Sequence, residues 1–381
     1  MSHHLKRPVT IGLSLLTGLA GAAVLAGPAQ AASSGYATMR MNNMQAVFWG
    51  APGSANQVVV TASTKSVIID DVVPIRTGPG CAVISKDRTV VRCTYGWVMD
   101  HAPRVVVYAG DRDDRVTNRT KLWTELRGGA GNDTIQTAGG PSELYGEAGA
   151  DTILGSAAEH EFLDGGPGAD RIYGGAGAEQ IFGGAGDDTL SGGAGRDQLT
   201  GGAGSDLMSG GADDDLLYMQ TDTITGDNDR VLGDTGTDTV SYTGYGAGVT
   251  VDLDGVAGDD GARGERDTLH PDIERIQGGG GGDLLWGSGR DDVILGGPGD
   301  DTIIGGSGAD KLVGEEGADR LYGGAGDDAL DGRDWVDWMS RPYPPPDVPD
   351  LVSGGVDRDT CELYPGDVPD GCDVTEYPHG Q

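Results

Sequence analysis

From Gly183 the chain repeats one nine-residue phrase three times without a break, as GGAGDDTLS, GGAGRDQLT and GGAGSDLMS. A second run starts at Gly278 with GGGGGDLLW and continues through GSGRDDVIL, GGPGDDTII, GGSGADKLV, GEEGADRLY and GGAGDDALD. The shared form is G-G-x-G-x-D-x-U-x, in which U is a large apolar residue. A period this short specifies stacked units, each of which buries its apolar side chain only against its neighbours. The eighth place is always apolar, from Ile135, Ile153, Ile172, Ile181 and Leu190 to Leu312, Leu321 and Leu330, while both flanking places vary. That is the pattern of a short strand with one inward side chain, preceded by a turn. Two units complete one coil, so each unit stacks on the unit two along.

Glycines at the first, second and fourth places let the backbone take positive φ and aim its carbonyls at a common point. The sixth place then adds a carboxylate, and the candidate ligands are Asp133, Asp151, Asp170, Glu179, Asp188, Asp197, Asp206, Asp215, Asp238, Asp283, Asp292, Asp301, Asp310, Asp319 and Asp328. An all-oxygen, irregular donor set suits a hard cation that accepts six to eight ligands, whereas zinc favours sulfur and nitrogen. Calcium is the metal expected, held between stacked turns on the same edge. Carboxylates on adjacent coils stand about 4.8 Å apart, where two unit charges repel by ~1 kcal/mol even in water. Over about a dozen pairs this rivals the ~5–15 kcal/mol that holds a domain together. Folding and calcium binding are therefore predicted to be one event.

On these motifs the chain resembles the hemolysin-type calcium-binding repeat family, also called RTX repeats, and is similar to its secreted actinobacterial members with few other domains. Near-complete motifs occupy 128–136, 146–154, 165–173, 183–209 and 278–331. The resemblance implies an all-β fold, a parallel β-roll or β-solenoid closed by small β caps. Several positions depart from the pattern. Glu179 replaces aspartate, Ser142 lacks the carboxylate, Asp213 and Arg290 replace the fourth-place glycine, and 155–164 keeps ten residues with almost no motif. Weakened or missing ions are expected at those turns.

The formal net charge is -34, and two of the few cations, Lys6 and Arg7, fall in an N-terminal leader. Such a polyanion is a poor partner for nucleic acid or an anionic membrane. The leader has a basic start, an apolar run over 9–26 and an Ala29-Gln30-Ala31 cleavage site, the form of a Sec-type signal peptide cut near Ala31. Later segments are not apolar enough to span a bilayer, so a secreted, extracellular protein without membrane insertion is expected. Four cysteines fit that compartment, and of the three possible connectivities their spacing favours Cys81–Cys93 and Cys361–Cys372.

The chain divides into a leader (1–31), an N-terminal β cap (32–108), a first repeat tract (109–218), a degenerate insert (219–277), a second tract (278–332), a proline-rich linker (333–352) and a C-terminal cap (353–381). Asp114 and Val116 already occupy the sixth and eighth places of a degenerate first unit, and the insert reads as a continuation of the roll with longer loops. Repeats of this kind are often attached to secreted enzymes, yet no G-x-S-x-G or H-E-x-x-H motif is present. His101, His160, His270 and His379 are scattered, so no catalysis is expected. The alternatives are a calcium-dependent adhesin or cell-wall or matrix component, and a secreted hydrolase with an unrecognised site. In the second tract the ninth place holds Trp286, Ile304 and Tyr322 on alternate units, which predicts one exposed apolar ladder. It would be covered by the insert or C-terminal tail, or serve a glycan, a cell-wall polymer or self-association.

Overall fold

In the computed structural model the described residues are 34–40, 45–95, 103–158, 160–220, 228–332, 351–355, 359–362, 368–372 and 374–376. The leader, the proline-rich stretch 341–350, His101 and His379 lie outside them. Among the described residues every regular element is a strand, and the sheets of the repeats are parallel, so the fold is an all-β parallel roll.

The nine-residue period becomes an eighteen-residue register. Ile172 pairs with Leu190 and Leu190 with Met208 in one sheet, while Ile181 pairs with Leu199 and Leu199 with Leu217 in the other. Each of these side chains is 0 or 1% exposed, and together they fill the narrow space between the sheets. In the best repeats the strand does not end with its own unit. Thr189–Ala194 takes the last three residues of one unit and the first three of the next, which confines the turn to the three residues that end in aspartate.

Among the described residues one sheet of 17 strands runs the length of the roll, faced first by a 12-stranded sheet and then by a 7-stranded one. The change occurs inside the insert. The long sheet passes without interruption from Leu216–Tyr218 through Thr239–Ser241 and Arg275–Gln277 to Val293–Leu295. Opposite it, the 12-stranded sheet stops at Thr268–Leu269, and Val249–Asp252 starts the third sheet by pairing with Leu284–Trp286. Tyr242 and Tyr245 meet edge to face at 5.2 Å and are buried where the sheets change over.

The N-terminal segment adds a coil that has no repeat motif. Gln45–Trp49 and Gln57–Ser63 pair in parallel with Arg104–Asp111 and Arg115–Asn118. Antiparallel strands then close that end, with Ser66–Asp70, Val90–Thr94 and Cys81–Val83 on one sheet and Gly35–Arg40 on the other. At the other end Leu351–Gly355 and Thr360–Glu362 extend the two sheets, and Val368–Asp370 and Val374–Glu376 extend them again. Both disulfides close short loops, Cys81–Cys93 and Cys361–Cys372.

Trp286, Ile304 and Tyr322 do stand side by side on adjacent strands, flanked by Asp252 and Ser353. They are half-buried, however, and not exposed as the sequence predicts. Adjacent strands lie only about 4.8 Å apart, so large side chains in one row cover one another's faces.

Candidate metal centre

The turns of the roll bring the sixth-place carboxylates into three columns. One edge stacks Asp133, Asp151, Asp170, Asp188 and Asp206; the opposite edge stacks Glu179, Asp197, Asp215 and Asp238 and, further on, Asp292, Asp310 and Asp328. The third column, beside the 7-stranded sheet, holds Asp283, Asp301 and Asp319. All fifteen are buried, at 3% exposure or less.

A single hydrogen bond repeats along each column. The backbone N–H of a sixth-place residue donates to Oδ1 of the sixth-place aspartate one coil further on, as from Asp133 to Asp151 at 2.6 Å, Asp170 to Asp188 at 2.7 Å and Asp301 to Asp319 at 2.9 Å. The chain folds this way because turns of identical length stack in register, which places each carboxylate beneath the amide of its counterpart. One oxygen of each is thereby satisfied. Oδ2 of Asp133, Asp151, Asp170, Asp188, Asp197, Asp215, Asp238, Asp301 and Asp310 is buried and accepts no hydrogen bond.

At Gly146 a Cβ would collide with Asp151 Oδ2 and with the carbonyl oxygen of Gly165, so only a residue without a side chain fits beside these two oxygens. The second-place glycine is held for a different reason. Gly193 has a φ of +112°, and a Cβ on it would sit 2.2 Å from the carbonyl oxygen of Gly175 in the coil below.

Buried carboxylates without counter-charge hold their protons tightly. Burial is the largest cause, opposed by the backbone N–H and reinforced by neighbouring carboxylates, and it pushes Asp133 and Asp188 up to about 7, Asp215 to about 8 and Asp301 to about 7. Glu179, one methylene longer, is raised well above the usual carboxylate range by burial and by the neighbouring Asp197 carboxylate. A column of buried, unsatisfied carboxylate oxygens beside turn carbonyls calls for cations with oxygen ligands. No histidine or cysteine takes part in the columns.

Asp283 and Asp292 differ from these nine. Their second oxygens turn back into their own loops, Asp283 accepting from Gly279 N at 2.8 Å and Asp292 from Ser288 N at 2.6 Å. The ten-residue stretch 155–164 also differs from its reading as nearly motif-free. Leu163 takes the inward place beside Leu144, and the buried Glu161 takes the carboxylate place, with Ser156 N donating to it at 2.6 Å. The extra residue is absorbed in the turn, where His160 has a φ of 65°.

Asp114, read from the sequence as a sixth place, leads the first column. The structure also adds members that the repeat spacing does not reveal: Asp229 and Asp267 extend that column, while Glu274 links Asp238 to the second tract and Asp359 follows Asp328. Each stands two residues before an inward apolar side chain, Val116, Val231, Leu269, Ile276 or Cys361. That pair, an acid and then an apolar residue two places on, survives where the glycines are lost. Outside the columns, fifth-place side chains form a second, exposed ladder, as from Ser205 N to Asp187 at 3.0 Å and Ala309 N to Asp291 at 2.7 Å.

Comparison with known proteins agrees with this geometry. The family described as the RTX calcium-binding nonapeptide repeat, in four copies, matches residues 127–159, 157–190, 182–217, 277–312 and 304–334. These segments span 127–217 and 277–334 and leave out the N-terminal coil, the start of the first tract and nearly all of the insert. No curated protein matches the chain.

Proposed function

We propose that this chain, which carries RTX calcium-binding nonapeptide repeats, is a secreted, non-enzymatic protein whose activity is cooperative calcium coordination coupled to folding. The observation that carries the proposal is the set of buried carboxylates with one oxygen bonded along the column and the other left without a donor. The residues present fit calcium. Oδ2 of the sixth-place aspartates, with carbonyl oxygens of the stacked glycine turns, would hold the ions, which supply the counter-charge that the columns lack. Magnesium suits the site less, because it demands near-octahedral geometry and gives up water reluctantly.

The chain's own part is to position the oxygens. Uniform turns set the register, glycines keep the space open, and the line of Leu and Ile side chains ties the two sheets together. Secretion is supported by the signal-type leader and suits modest-affinity sites, since extracellular modules bind calcium at ~10⁻⁴–10⁻³ M. The test is a calcium titration of the mature chain followed by circular dichroism, with magnesium as control. Cooperative gain of β signal with calcium alone is expected. A chelated chain as structured throughout as the loaded one would end the proposal. Fractionation of the native producer tests the secretion arm, with accumulation inside the cell as the opposing outcome.

A further inference from the structure

The first turns of the roll place neutral amides and hydroxyls at most of the positions where later turns place carboxylates; among the described residues of 34–118, Asp71 and Asp114 keep a buried carboxylate oxygen without a donor. At one edge Asn56 is fully buried and takes the sixth-place role for the coil below Asp114. Its Nδ2 donates to Ala109 O at 2.9 Å, Ser54 O at 3.0 Å and Asp114 Oδ1 at 3.2 Å, and its Oδ1 accepts from Ala51 N at 3.1 Å. One neutral group thus sits among three oxygens and shares its two N–H protons among them.

The opposite edge repeats the device with different residues. Thr124 and Ser142 hold the carboxylate places, and their hydroxyls lie 3.0 Å apart. Asn118 occupies a first place that is glycine in later units, and its Nδ2 donates to Thr124 Oγ1 at 3.4 Å and Thr137 Oγ1 at 3.3 Å. All four residues are buried, at 3% exposure or less. No charge enters this stack until Glu161.

The same end has the broadest apolar packing. Phe48, Val58, Val60, Val67, Ile69, Ile75 and Val91 are all fully buried, where a repeat unit supplies one inward side chain. Cys81–Cys93 closes the sheet edge, Trp49 stacks on Tyr108 at 6.0 Å, and Arg40 lies over the Trp49 ring at 5.3 Å.

We infer that residues 34–118 form a platform that folds without calcium, and that the ion-dependent coils are built on it from the N-terminal side. The inference rests on the calcium reading for the remainder of the roll. Amide hydrogen exchange on the full mature chain, in chelator and in calcium, tests both. In chelator, Gln57–Ser63, Ser66–Asp70, Val90–Thr94 and Arg104–Asp111 should exchange at least ~100-fold below the unfolded-chain rate, while Thr189–Ala194, Gln198–Ala203 and Thr302–Ser307 exchange freely. Free exchange everywhere overturns the platform and leaves the calcium reading standing; protection everywhere overturns the calcium reading instead.

Asn56→Asp separates the amide's role from that of the core. The variant places a carboxylate beside Asp114 and should lose chelator protection over Arg104–Asp111 and recover it in calcium. Protection unchanged in chelator, or lost in both conditions, overturns the assignment of Asn56 as a stand-in for the ion.

Discussion

Asp188→Asn should change stability in opposite directions with and without calcium. Asparagine keeps the shape and the Oδ1 that accepts from Asp170 N at 2.7 Å, but it replaces the unsatisfied Oδ2 with an amide and removes the charge. With calcium bound, the roll loses one carboxylate ligand; a charged hydrogen-bond partner is worth ~1.5–3 kcal/mol, so a loss of about 2 kcal/mol is expected. Without calcium, the substitution removes repulsion from Asp170 and Asp206, both of which raise the Asp188 proton affinity. At about 4.8 Å each neighbour contributes ~1 kcal/mol in water, so the ion-free fold gains about 2 kcal/mol. The assay is thermal melting in calcium, where a fall of roughly 4–8 °C corresponds to this loss at ~2–4 °C per kcal/mol. Its counterpart is osmolyte-driven refolding in chelator, where the variant should fold at lower trimethylamine N-oxide concentration. A variant less stable than the parent in both conditions would refute the charge-column argument and leave Asp188 as a structural hydrogen-bond acceptor only.

Acid should replace calcium in part. The folded-state values of Asp133, Asp188, Asp215 and Asp301 lie at about 7 to 8 against the ordinary 3.8, so the folded form binds protons more tightly than the unfolded chain. The stability they contribute to the ion-free form is complete below pH ~4 and is lost as pH rises through 7 to 8. Circular dichroism in chelator should show more β structure at pH 5 than at pH 8.5, and the reverse order would contradict the assignment. Gly193→Ala should prevent close stacking, because its Cβ meets the Gly175 carbonyl and its φ of +112° excludes side chains; a loss of at least ~3 kcal/mol is expected in calcium, read from the urea midpoint. Leu199→Ala empties a fully buried place and should cost ~2–5 kcal/mol in the same measurement.

The repeat period revealed the roll because a strand with one inward residue needs only one apolar place in nine, and Ile172, Leu190 and Met208 keep it strictly. It did not reveal Asp229, Asp267 or Asp359, since loops of other lengths shift them off the beat while the sheet register restores them to the columns. Glu161 escaped notice for the same reason, displaced by a single extra residue that its turn absorbs. The N-terminal coil carries no glycine motif, and Asn56 and Asn118 look like ordinary loop polars until the turns are stacked.

By itself the sequence determined the class of fold, the paired-unit coil, the spacing of the inward residues and the placement of the turn carboxylates, because all of these are local to nine or eighteen residues. Only the tertiary structure decided that one sheet runs the whole length while its partner changes at Val249–Asp252, that Trp286, Ile304 and Tyr322 shield one another, and that neutral side chains fill the first turns. Those features depend on which segments become neighbours across insertions of unequal length, and hydrogen-bond register between distant strands sets that, not any property of a single unit.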